Sequence, residues 1–153
     1  MRLDEAALFN WEDIKEDDAQ RVVYFDLTNA VVKNDGSKRL VPVHSKLNWV
    51  KTGKSGQMFP QFKRNRDGKA QGPASKALMP LMRNVTANEK KVIHSLRGNF
   101  KDMLRDAGVS KEVNDFITGH GSGDVAGGYG AGPSLSVRKE AIERLGFHFL
   151  SAI

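Results

Sequence analysis

The apolar positions of the chain change period several times, and each change predicts an element. In the opening RLDEAALFNW, Leu3, Ala7 and Leu8 fall at helical spacing and predict a helix already under way at residue 1, with no capping residue before it. RVVYFDLT (21–28) is rich in Val, Tyr and Phe and reads as a strand. AVVKNDGSKRLVPVH (30–44) reads as a β-hairpin, two short strands around the turn residues Asn34 to Ser37. Residues 51–73 are polar, rich in Gly, Lys and Gln, and read as loop. PASKALMPLMRNV (73–85) predicts a helix with Pro80 as its kink point.

A stronger helix follows in HSLRGNFKDMLRDAGV, where Leu96, Phe100, Met103, Leu104 and Ala107 form one stripe and Gly108 is a natural stop. Ser110 is placed to cap KEVNDFITG, with Val113, Phe116 and Ile117 on the inner face. A glycine-rich stretch, 119–132, separates this helix from a last amphipathic one over 134–147, with Leu135, Ile142 and Leu145 apolar. The predicted class is α+β, mainly α, with a small three-stranded antiparallel sheet, in one domain spanning 1–153.

Composition narrows the function. The 153 residues are 39% hydrophobic and 27% charged, so a core of ordinary size is available and global disorder is excluded. There is no cysteine, hence no disulfide and no thiolate metal site. No apolar run has membrane-spanning length and the N-terminus lacks a secretory pattern. Net charge is +6, unevenly spread: residues 1–20 are acid-rich, while 33–105 hold most of the Lys and Arg. That balance points to an anionic partner, nucleic acid first, against the plainer reading of a charge that serves solubility.

Several motifs fail their structural context. KTGKSG (51–56) ends like a phosphate-binding loop but lacks the leading glycine, since position 48 is Asn. GSGDVA (121–126) matches G-x-G-x-x-A but follows a helix rather than a strand. His44, His94, His120 and His148 make no metal-ligand spacing, and no G-x-S-x-G is present.

One constellation survives. His94 and Arg97 stand at i and i+3 where a helix begins, on a shared face beside free N–H groups, an arrangement suited to a phosphate. A second helix ends in Thr118-Gly119-His120, and Tyr129 lies nine residues beyond that histidine, followed by Gly130. With LRDAGV at 104–109, this order resembles the catalytic domain of tyrosine recombinases, the phage-integrase family. Two further features of that family are matched: Arg2 with Glu5 three positions on, and Lys33 before Arg39-Leu40-Val41-Pro42. Lys38 and Lys46 are rivals for the lysine, with Lys33 the better match by register. The resemblance covers nearly the whole chain. It departs at Gly98-Asn99, where the family often has His-Thr, and at the front, where the family's leading helices and DNA-clamping domain are absent, so the chain reads as a truncated catalytic domain.

The resemblance implies site-specific DNA recombination or integration, by tyrosine cleavage of a strand and religation through a 3′-phosphotyrosyl intermediate. Arg2 and Arg97 would bind the phosphate, His120 would donate a hydrogen bond to it, and Tyr129 would be the nucleophile. His94 would accept the phenolic proton, Lys33 would protonate the leaving 5′ oxygen, and Glu5 would orient His94 or Arg2. No cofactor and no metal are implied. The partner would be double-stranded DNA, with self-association through 134–153, in a bacterial or phage-encoded protein of the cytoplasm and nucleoid. Topoisomerase-type relaxation, which shares the chemistry, and a non-catalytic DNA-binding or assembly fragment are the alternatives. Taken one at a time the residues have plainer readings: a packing tyrosine, a helix-end histidine, a solvated turn lysine, a helix salt bridge. The glycines around Tyr129 would let it reach the phosphate and release it.

Overall fold

The computed structural model describes residues 1–30, 38–120 and 132–147. Helix α1 (Leu3–Ala7) leads through a 3-10 turn (Trp11–Asp13) into strands β1 (Ile14–Asp17), β2 (Val22–Asp26) and β3 (Leu40–Pro42). Helices α2 (Gln71–Val85), α3 (Ser95–Asp106), α4 (Lys111–Thr118) and α5 (Leu135–Glu143) complete it. The three strands form one antiparallel sheet in the order β1-β2-β3. This is the α+β, mainly helical architecture with a small sheet that the periodicity predicts.

The register shows why the sheet holds. Ile14 faces Phe25 across β1 and β2, and Phe25 faces Val41 across β2 and β3, so one buried residue from each strand lies on a single line. Strand β1 was not anticipated from alternation. IKED carries one apolar residue, and its strand state comes from pairing with β2 through a short turn in which Arg21 takes a positive φ of 50°. The predicted turn at Asn34–Ser37 lies outside the described residues.

One core joins sheet and helices: Phe9, Phe25, Leu27 and Val41 pack with Leu104, Ile117, Ile142 and Leu145. Phe9 meets Phe25 edge to face at 5.3 Å. The predicted stripe of α3 is corrected at its start. Leu104 is fully buried and Phe100, Met103 and Ala107 pack against the core, but Leu96 is 52% exposed and outside it. On α4, Ile117 enters the core while Phe116 instead lies under the guanidinium of Arg138 at 5.6 Å.

Helix α1 also differs from expectation. It is not under way at residue 1: Arg2 is extended (φ −74°, ψ 161°), and its N–H donates to Glu5 Oε2 at 2.6 Å, half of a capping box. Helix α2 continues through Pro80 to Val85 and packs mainly on α1, with Ala74 in a small cluster beside Ala7. Its start is capped from α1, since Asp4 Oδ1 accepts from the N–H groups of Ala70 (2.9 Å) and Gln71 (2.5 Å).

Helix α5 is pinned to the sheet by polar contacts. Arg138 Nη1 donates to Leu40 O at 3.0 Å, and Lys139 Nζ to Val43 O at 2.5 Å. Glu143 accepts from both the N–H (2.8 Å) and the hydroxyl (2.7 Å) of Ser45. Among the described residues no helix is long and apolar enough to cross a membrane. The C-terminal part of the expected self-association segment, 148–153, lies outside the described residues.

Partial burial opposes the charge of Glu143, but Lys139 and Ser45 outweigh it and hold the carboxyl at a pKa of about 2. A carboxylate depressed in the fold stabilises above its unfolded pKa, and that contribution is lost as pH falls through the folded value. The window therefore runs from about 4.5 down to about 2. Glu143→Gln should remove about 1–2 kcal/mol of stability near neutrality, allowing for solvent screening, and flatten the loss over that window. Urea melts of both proteins across pH 2–6 check this.

Candidate anion-binding site at the end of helix α4

Helix α4 begins at Ser110, whose hydroxyl accepts from Val113 N at 3.4 Å, as the sequence predicts. It ends at Gly119, in the left-handed region (φ 65°, ψ 46°), with His120 N donating back to Asp115 O at 3.1 Å. A helix end exposes carbonyls that lack an intrahelical donor and carries partial negative charge. Here three successive carbonyls are each met by an arginine. Arg39 Nε donates to Ile117 O at 3.1 Å, Arg97 Nη2 donates to Thr118 O, and Arg2 Nη2 donates to Gly119 O at 3.4 Å. The arginines come from the residue before β3, the first turn of α3 and the residue before α1. Gly119 is doubly required: besides its φ, a Cβ there would lie 2.7 Å from the Arg39 guanidinium.

Glu5 is the counter-charge. It is almost fully buried, and both its oxygens are used. Arg39 Nη2 meets Oε2 at 2.9 Å and Nη1 meets Oε1 at 3.3 Å, while Arg2 Nη1 reaches Oε1 at 3.1 Å. Burial works against its ionisation, but Arg39 and the Arg2 N–H hold its carboxyl below the usual range. Two guanidinium groups thus share one carboxylate, and with Arg97 beside them the cluster keeps an excess of positive charge.

That excess is concentrated on Arg97. Burial, then the charges of Arg2 and Arg39, pull its pKa down, yet an arginine stays protonated. Its Nη1 is buried and has no hydrogen-bond partner among the described residues. A buried guanidinium nitrogen left without an acceptor is costly unless an anion completes it. His120 stands beside it, with Nδ1 3.3 Å from Arg97 Nη2 and 3.0 Å from Thr118 Oγ1. Arginine can only donate, so Nδ1 accepts and the ring proton is assigned to Nε2. Burial, then Arg97 and Lys101, lower the His120 pKa, which favours this neutral ring.

Four of the residues singled out in the sequence are therefore brought together: Arg2, Glu5, Arg97 and His120. His94 is not drawn in. It occupies the N-cap position of α3 without capping it, is exposed, and makes no described side-chain hydrogen bond. The expectation has Glu5 orienting either His94 or Arg2; its oxygens go to Arg2 and Arg39, and no described hydrogen bond joins it to His94. Lys33 and Tyr129 lie outside the described residues. Of the rival lysines, Lys46 donates its backbone N–H to His44 Nδ1 at 3.0 Å. Sequence reasoning missed Arg39 as a member of the cluster, because a charged residue before a strand carries no signal of burial. It also missed Thr118, which shares Nδ1 of His120 with Arg97. Among the described residues no group of His, Cys, Asp or Glu could hold a metal ion.

Comparison with protein-family models, with curated proteins and with solved structures finds no match to this chain.

Two outcomes follow from the electrostatics. Replacing Glu5 by Ala leaves buried cations unopposed and should cost about 3–5 kcal/mol, read from chemical denaturation. His120 should titrate below 6.5 in an NMR pH series. Because its folded pKa is lowered, the fold binds fewer protons than the unfolded chain there, and His120 should subtract stability as pH falls through the region below 6.5.

Proposed function

We propose that this chain is a DNA strand transferase of the tyrosine recombinase type, cutting one strand of a duplex and rejoining it to a new partner. The observation that carries this reading is the buried Nη1 of Arg97, without an acceptor among the described residues, set near Arg2 and the His120 ring in a cluster with surplus positive charge. A phosphodiester is singly anionic and offers two non-bridging oxygens, which is what two guanidinium groups and one N–H donor recognise. The same donors stabilise the charge that builds on those oxygens as an oxyanion attacks.

In this reading the Tyr129 phenolic oxygen attacks the phosphorus, an O–P bond forms, and the bond from phosphorus to the 5′ oxygen breaks. His94 takes the phenolic proton, and Lys33 supplies a proton to the departing 5′ oxygen. The 3′-phosphotyrosyl product is still a phosphodiester, so a 5′ hydroxyl from either strand can reverse the step without an external energy source. The exposed position of His94 is compatible with such a role, since a base that serves an incoming nucleophile has to be reachable. The net charge of +6 supplies the non-specific attraction to duplex DNA that site search requires.

The test is covalent capture on a pool of nicked duplexes of randomised sequence, in which the cleaved fragment diffuses away. Wild type should form a protein–DNA adduct that survives denaturation, and Tyr129→Phe should form none. Arg97→Ala should slow adduct formation by roughly 10²–10³-fold, the cost of removing one oxyanion donor. Salt-sensitive DNA binding with no adduct from wild type would replace the enzyme by a DNA-binding module.

A further inference from the structure

We propose that Arg39 is the positioning residue of this site: by gripping Glu5 and the Ile117 carbonyl at once, it sets Arg2 and His120 in a single phosphate-binding frame. The inference rests on the reading above and adds a residue to it. Arg39 is 6% exposed, and each nitrogen of its guanidinium is engaged, Nε with Ile117 O and both Nη atoms with Glu5. It has no face left for DNA. Its acceptors among the described residues, however, belong to two separate segments, α1 and the end of α4, and each leads directly into a residue proposed to touch the phosphate. Glu5 also binds the backbone and side chain of Arg2. Ile117 lies three residues before His120, and the Arg39 guanidinium packs against Gly119 so closely that no Cβ fits between them.

The second part of the argument is charge. Glu5 carries one negative charge and two guanidinium partners. While Arg39 holds both oxygens of Glu5, the pull of that carboxylate on Arg2 is shared. Without Arg39, Arg2 is the one guanidinium left hydrogen-bonded to this buried carboxylate among the described residues, and it is drawn toward Glu5, away from Gly119 O and from the phosphate position. Lysine cannot substitute: one ammonium cannot span two carboxylate oxygens and a carbonyl in the planar fork that arginine offers.

Arg39→Lys in the full chain tests this, with circular dichroism and a thermal melt to establish folding. Three quantities are measured beside wild type: affinity for an intact randomised duplex, adduct formation at saturating nicked duplex, and the His120 titration by nitrogen-detected NMR. Because Arg39 is buried, affinity should stay within roughly threefold, being set by exposed cations. Adduct formation should fall by about 10²-fold, the scale set by small misplacement of reacting groups. The His120 midpoint should move up toward its ordinary value as the ring loses its fixed place beside Arg97. That midpoint is lowered first by burial of the ring, then by the charges of Arg97, Lys101 and Arg2, and raised by Asp115, and none of these charged residues is changed in the variant.

An unchanged adduct rate, or a rate that falls only in step with DNA affinity, overturns the proposal. If wild type itself makes no adduct, the strand-transfer reading fails, and the titration alone decides Arg39: an unmoved His120 midpoint overturns its positioning role. Should Arg39→Lys not fold, Arg39→Gln, which keeps two donors without the charge, is measured in the same way and judged by the same outcomes.

Discussion

The C-terminal end of α4 is where this structure does most of its organising. Any helix leaves its last carbonyls without intrahelical donors, and burial of such an end requires donors from elsewhere. Here the donors are three arginines, from ahead of α1, from ahead of β3 and from the first turn of α3. Each brings its own segment to the same point. Elements far apart in sequence are thus fixed relative to one another by a backbone feature, and the partial negative charge of the helix end offsets part of the repulsion among the cations it gathers.

Such a gathering still has a surplus of positive charge. Glu5 offsets part of it and is held ionised despite burial, because two guanidinium groups and a backbone N–H face it. The remainder falls on Arg97, whose outer nitrogen is buried without an acceptor among the described residues. Natural folds rarely leave a buried charged donor unmatched, and where they do, a ligand commonly supplies the match. His120 extends the same logic. With the ring proton assigned to Nε2, on the ground that Arg97 can only donate to Nδ1, the remaining N–H is a neutral donor suited to an anion.

The rest of the fold serves as the frame for that point. The sheet aligns Ile14, Phe25 and Val41 under the helices, and Ile117 reaches into the same core from α4. A residue of the helix that ends at the arginine cluster is therefore also a core residue, so the cluster cannot shift without disturbing packing. Helix α5 grips β3 through Arg138 and the segment just after it through Lys139 and Glu143, which fixes the strand that Arg39 precedes. Helix α2, by contrast, packs mainly on α1 and leaves Leu81 and Val85 exposed, so it contributes little to the frame.

Much of this was legible in the chain itself. The strand at 22–26, the helices α2 to α5, the Ser110 cap and the Gly119 stop follow from local rules of periodicity and capping, which act within a few residues. Arg2, Glu5, Arg97 and His120 could be singled out because their types and order make a pattern. What no local rule could supply was set by contacts over long separations. Strand β1 exists because β2 pairs with it, Leu96 stays exposed while its neighbour Arg97 turns to the end of α4, and His94 stays outside the cluster that Arg97 joins. Arg39 is the clearest instance. A charged residue reads as solvated, and only the meeting of Glu5, 34 positions away, with the Ile117 carbonyl, 78 positions away, makes its burial favourable.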